Sequence, residues 1–245
     1  MVRESSAGGR WYIPRKWKVA FLIVGMLLST PSWARQPGVS SPRSAASAST
    51  KTRAIKPGDV NLQASRVYIH VDKTGLGHEH GVEGRLQAGH IHLESPGKGG
   101  ELVFDMKSFV ADTPRARRYV GLSGTSDAET RREVTANMLS ADVLNVSHFP
   151  QARFHLTKIR KLAQPSHRGL PRYQLDGTFT LHGVTKRIST VVDTERKNGW
   201  VHLRGSFVLL QTQYGMKPFT KMLGAVGVAD RLEIWGDLWV ADLPH

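Results

Sequence analysis

Four histidines fall in two close pairs, His78 with His80 and His90 with His92, inside the run SRVYIHVDKTGLGHEHGVEGRLQAGHIHL from Ser65 to Leu93. Members of a pair are two positions apart, so each pair shares a face wherever its segment is extended. Imidazole is a ligand for zinc, copper or nickel, and four rings would complete a shell. The same ring also hydrogen-bonds the polar end of an organic ligand. Which chemistry applies depends on the elements that aim the rings.

The pattern around them is that of strands. Val67, Ile69 and Val71 alternate with Tyr68, His70 and Asp72, the period of a half-buried strand. If Val82 to Leu86 turns at Gln87-Ala88 into Gly89 to Leu93, His92 faces Glu83 and His90 faces Arg85, opposite Val82, Leu86, Ile91 and Leu93. His90 and His92 then read as a solvated strand face. His78 and His80 share parity with Val82 and point inward near the mouth of any barrel these strands form. A register centred on Arg85 would unite all four rings, but only by burying the turn and moving Leu86 into a loop. His78 and His80 therefore stand as candidates to hold a polar ligand head or, with a third ligand from elsewhere, a metal; backbone-satisfied loop residues are the plain alternative.

Alternation recurs downstream at Leu102, Phe104 and Met106, at Phe154 and Leu156, at Tyr173 to Leu181, at Leu203 to Leu209, and at Leu232 to Val240. Turn residues separate the runs, as in Ser95-Pro96-Gly97, Pro171, His182-Gly183 and Asn198-Gly199, which favours antiparallel neighbours. One helix is predicted from Asp127 to about Leu139, with Ser126 and Glu129 as a capping box. The expectation is an all-β fold: a closed antiparallel barrel of about eight strands with one inserted α-helix, closure removing the exposed edges. Such a barrel is either filled by side chains or holds one ligand.

Charge and composition narrow the function. The formal charge is +14, but residues 1–61 carry 10 Lys or Arg against Glu4 and Asp59, so only +6 belongs to the remainder. Arg10, Arg15, Lys16 and Lys18 precede the apolar run Val19 to Leu28, and Ser32-Trp33-Ala34 offers small residues for cleavage. Residues 1–34 read as an export signal. The run is short of the about 20 residues that span a bilayer, which makes an uncleaved membrane anchor the second reading. Residues 35–61 read as a disordered basic Ser/Ala/Pro linker, and 62–242 as the folded domain. Export implies a periplasmic protein without nucleic-acid partners. Cysteine is absent, so disulfides and thiol chemistry are excluded.

Other features have plain and functional readings. His182-Gly183 reads as a hairpin turn. The long mixed segment from Gln211 to Val228 offers Lys217 and Lys221 to an anionic head group, with Met216, Phe219, Met222 and Leu223 covering an apolar ligand, or is an ordinary covering loop. Arg115, Arg117 and Arg118 read first as a solvated face and second as a site for phosphate or a peripheral membrane surface. No nucleophile elbow, phosphate loop, dinucleotide fingerprint or His-Glu-x-x-His helix is present, and no catalytic residue is assigned.

Several short segments, in order, resemble one family. They are Ser65-Arg66-Val67, Gly84-Arg85-Leu86 through Gly89, Ala141-Asp142-Val143-Leu144, Phe149-Pro150-Gln151-Ala152-Arg153-Phe154, and Gly177-Thr178-Phe179-Thr180-Leu181-His182-Gly183-Val184-Thr185-Lys186. Together they resemble the YceI-like family of exported, lipocalin-like barrels, from about Leu62 to Ala241. The resemblance implies an apolar channel for a polyisoprenoid chain, with no cofactor and no catalysis. Val67, Ile69, Phe104, Phe179, Phe207 and Ile234 are the candidate ligand-burying residues, with His78, His80, Lys217 and Phe219 at the mouth. The turn Gly75-Leu76-Gly77-His78-Glu79-His80-Gly81 departs from the commoner pattern and resembles a histidine-bearing branch. The rival function is a metal-binding or redox-stress protein, even an enzyme, built on His78 and His80.

Overall fold

The computed structural model describes residues 54–94 and 99–242. The expected export signal, the linker as far as residue 53 and the turn at Ser95-Pro96-Gly97 lie outside the described residues. Nine strands are present among the described residues: β1 (Arg66–Gly75), β2 (His80–Ile91), β3 (Gly100–Ala111), β4 (Gln151–Lys161), β5 (Arg172–Leu181), β6 (Val184–Lys197), β7 (Trp200–Leu210), β8 (Thr220–Lys221) and β9 (Val226–Ala241). Each pairs antiparallel with its neighbour in the order β1 to β7, then β9, and β9 returns to β1. Eight long strands thus close a barrel, and the two-residue β8 lies on β9.

The alternation in the sequence is the reason for the wall. Along β5 the buried positions are Tyr173, Leu175, Gly177, Phe179 and Leu181, with the residues between them turned outward. Tight turns hold the register. His182 and Gly183 sit at φ 50° and 77°, and Asn198 and Gly199 at 53° and 76°, the mirror-image geometry that suits the twist of a hairpin.

Four local expectations are corrected. Gln87-Ala88 is not a turn, since β2 runs unbroken from His80 to Ile91; the irregularity there is a register shift opposite Phe104 and Val103. His90 consequently faces Glu101 of β3, not Arg85. A helix stands where none was expected, α1 (Pro114–Tyr119), started by Thr113, whose hydroxyl accepts from the Ala116 amide at 3.0 Å, with proline at the first position. The second helix, α2 (Ala128–Leu139), is capped by Asp127 and not by Ser126. The Asp127 carboxylate accepts from the amides of Glu129 and Thr130, both at 2.9 Å. Residues Gly58 to Val60, expected in the linker, pair instead with the barrel at Ala241, His90 and Val240.

Strand direction sorts the connections. The β1–β2 loop, both helices, the β5–β6 turn and the segment from Gln211 to Ala225 all fall at one end. At the other end Val60, Ile91, Leu156, Tyr173, Val201 and Val240 fill the barrel, each 8% exposed or less. One end is therefore packed shut, and the long connections surround the other.

Packing of the wall makes a stability prediction. A Cβ on Gly84 would fall 2.4 Å from the ring of Phe109, itself 3% exposed. Gly84→Ala should lower stability by about 1–3 kcal/mol, the usual cost of overpacking. Urea unfolding would show a lower midpoint at unchanged slope; an unchanged midpoint would refute the contact.

Candidate functional site

Inward side chains of the strands do not fill the open half of the barrel. They surround a cavity of about 210 Å3, against the roughly 10–15 Å3 that admits one water molecule. Phe179 stands in its wall, its ring centroid 6.1 Å from Phe104, 6.3 Å from Phe154, 5.7 Å from Phe207 and 6.0 Å from Tyr214, all edge-on. Edge-to-face packing of this kind holds each ring in one orientation. Val134 and Met138 of α2 line the cavity as well, so this weakly amphipathic helix serves as part of the roof.

Eight of the residues expected to contact ligand line this one cavity: Val67, Ile69, Phe104, Phe179, Phe207, Ile234, Phe219 and His80. Two do not. His78 is exposed, because it precedes β2 in a segment without strand geometry and strand parity does not extend to it. Lys217 is exposed beyond Gly215, whose φ of 71° reverses the chain; Met216 takes the inward place. Met222 and Leu223, expected to cover the ligand, point out at 75% and 109% exposure. His90 and His92 lie at the packed end, about 33 Å along β2 from His80 at 3.3 Å per residue. Among the described residues no group of three or more His, Asp or Glu stands close enough to hold a metal ion.

His80 is positioned by residues that the pattern of apolar positions does not mark. Its Nδ1 lies 2.6 Å from Oδ2 of Asp112, a side chain only 1% exposed at the end of β3. The other oxygen, Oδ1, accepts from the Gly81 amide at 3.1 Å and from Arg117 Nη1 at 3.0 Å. Arg117 of α1 is spoken for on every side, donating also to the carbonyls of Glu79, Ser123 and Gly124. Burial by itself would raise the Asp112 carboxyl; hydrogen bonds from His80, Gly81 and Arg117 outweigh it and hold the group below its ordinary value. An ionised Asp112 accepts from Nδ1–H, which leaves Nε2 as the open hydrogen-bonding atom of the ring; among the described residues nothing bonds to it. The signal that pointed here was Thr113-Pro114, a helix start that swings Arg117 back under Asp112. Arg117 had looked like one of three solvated arginines.

The other polar lining groups are Asn137, Thr190 and Gln211, and none carries charge. Thr190 donates to the Ser206 carbonyl at 2.9 Å, and Gln211 Nε2 to the Ala229 carbonyl at 2.8 Å.

A closed antiparallel barrel around a cavity lined almost wholly by apolar side chains, with His80 among its few polar groups, defines a ligand-binding barrel of the lipocalin-like kind. The family model for the YceI-like domain matches residues 59–238. The chain belongs to the YceI-like family. Among solved structures it is similar to BcnA of Burkholderia cenocepacia, at 14% identity and a TM-score of 0.52, covering 75% of this chain and 100% of that one. It is also similar to a polyisoprenoid-binding domain from Saccharophagus degradans, at 12% identity and 0.51, covering 77% and 100%. At such identities the likeness is one of fold. No curated protein matches the chain by sequence.

Removing Asp112 should unseat both partners. Asp112→Ala leaves Arg117, 15% exposed, without its counter-charge, and should cost about 3 kcal/mol at pH 7. The folded carboxyl titrates below its unfolded value of about 3.8, so its contribution is complete above that pH and fades as the pH falls through the folded value. Urea unfolding of both proteins should show a gap that narrows as the pH falls below 3.8. A gap that widens below that pH would reverse the assignment.

Proposed function

We propose that this protein is an exported, periplasmic carrier that binds one isoprenoid lipid inside its barrel, without catalysis. The observation that carries this reading is the cavity itself: a large space walled by apolar side chains, shut at one end and bounded at the other by a single prepared polar corner. An empty space of this kind is unfavourable unless something apolar occupies it, and each buried methylene of a ligand contributes about 0.8 kcal/mol. Membership of the YceI-like family supports an apolar ligand. A structural neighbour described as a polyisoprenoid-binding domain supports the isoprenoid choice. The basic and apolar pattern of residues 1–34 supports export.

The polar corner supports an uncharged head. Arg117 donates to Asp112 and three carbonyls and does not line the cavity, and Lys217 is exposed away from the lining, so neither is poised for a phosphate there. Nε2 of His80 suits a hydroxyl, which both donates and accepts.

Native mass spectrometry of protein purified from its own compartment tests this. The wild type should carry one apolar small molecule. Ala152, 2% exposed and part of the cavity wall, changed to Phe should abolish that adduct while thermal unfolding stays cooperative. His80→Ala should keep the adduct but weaken rebinding of a polyprenol roughly fivefold to tenfold, the worth of one hydrogen bond. A ligand-free wild type, or an Ala152→Phe protein that still carries the molecule, would defeat the reading.

A further inference from the structure

The segment Gly75-Leu76-Gly77 does not line the cavity. Its place in the fold shows what it does. Leu76 is 80% exposed, and its amide donates to the Ala225 carbonyl at 2.9 Å, which ties the β1–β2 loop to the loop before β9. The contact is so close that a Cβ on Gly75 would fall 2.3 Å from the Ala225 oxygen, and one on Gly77 the same distance from the Gly227 oxygen. Two glycines thus clamp two loops side by side. The second loop presents Met222 and Leu223, 75% and 109% exposed, at φ 52° and 55°. Bulky residues seldom adopt that left-handed conformation, and it persists only where the surroundings enforce it. It points both side chains into solvent.

Leu76, Met222 and Leu223 are the three most exposed large apolar residues among those described. All three stand at the end of the barrel where the cavity lining reaches Val71, Phe219 and Val228, the last two only a few residues from the tip. Together they offer on the order of 500 Å2, short of the roughly 800 Å2 per partner of a standard protein interface. Projecting points also make a poor flat contact with a second copy. They are suited to a fluid apolar phase, into which separate side chains enter without a complementary surface. Lys73 and Lys217 are exposed nearby, and Lys221, paired with Glu133 at 2.8 Å, lies over the Phe219 ring at 5.6 Å. Such cations belong at the level of lipid phosphates.

We propose that Leu76, Met222 and Leu223 form a membrane-docking tip that inserts into the outer part of a phospholipid bilayer and sets the cavity against it. The partner is the bilayer surface itself. A lipid chain then passes between bilayer and barrel with little exposure to water, a role that rests on the carrier reading, although insertion does not require it.

The chain has no cysteine, so one introduced thiol takes one dye. Full-length protein carrying Leu223→Cys or Leu76→Cys, labelled with an environment-sensitive fluorophore, is mixed with phosphatidylethanolamine/phosphatidylglycerol vesicles. The dye should shift to the blue and be quenched by brominated acyl chains, while the same dye at Val208→Cys on the outer wall should do neither. Serine at Met222 and at the leucine that is not labelled should weaken partitioning of the labelled face at least about tenfold, since each buried Leu or Met side chain is worth about that factor. The co-purifying lipid, read on the same samples, should be unchanged by the serine substitutions. Tip dyes unaffected by vesicles would overturn the proposal, even if the amino-terminal segment binds them. A blue shift that depends on protein concentration without vesicles would overturn it too, by identifying a second copy as the partner. Absence of lipid from the wild type would count against the carrier reading alone.

Discussion

Pairing of β1 with β9 is the constraint on which the rest depends. It runs from Arg66 opposite Asp237 to Gly75 opposite Val226 and turns a meander into a closed wall. Without it two edges would stand open and the apolar inner face would have no enclosed side. The ladder is not uniform. Between Val71 and Lys73 the register slips, so that Leu232 and then Val228 take up the pairing. A bulge of this kind bends its strand and increases the twist. Here it lies where β1 leaves the cavity wall and runs on to meet the loop before β9, so closure and the exposed tip share one irregularity.

Inside the wall the molecule is economical with polarity. The packed end is sealed by aliphatic side chains and Tyr173, and the cavity meets few polar groups, two of which, Thr190 and Gln211, donate to backbone carbonyls. Charge is admitted at one place. Asp112, at φ 54° between β3 and α1, is a non-glycine residue held in a conformation that only its surroundings enforce. Its amide donates to the Gly81 carbonyl at 2.6 Å while its carboxylate binds Gly81, His80 and Arg117, so one residue joins β2, β3 and α1. A buried carboxylate is costly alone; paired on one side and hydrogen-bonded on the other, it becomes a fixed support that orients one imidazole.

Legibility in the sequence follows the range of each interaction. Alternation at Tyr173 to Leu181 and glycine pairs such as His182-Gly183 are local signals, and they led directly to strands, turns and an inward set that includes Phe104, Phe179 and Phe207. The β2 hairpin failed because Gln87-Ala88 reads like a turn in isolation, while β3 supplies a partner along the whole strand that overrides it. His78 failed because parity holds only within a strand. Met222 and Leu223 were expected to cover ligand on hydrophobicity alone, and a left-handed backbone turned them out. Thr113-Pro114 was a readable helix start that went unused, and with it went the position of Arg117.

The sequence by itself determined the fold class, the hairpin turns at His182-Gly183 and Asn198-Gly199, the family and the apolar face of most strands, because period, glycine placement and short motifs act over a few residues. Only the tertiary structure decided which histidine meets the cavity, what holds it, and where the exposed leucines gather. His80 and Asp112 are 32 positions apart, and Leu76 and Ala225 far more distant still. Their meeting is set by the closing register of the barrel, a property of all the strands together that no local pattern contains.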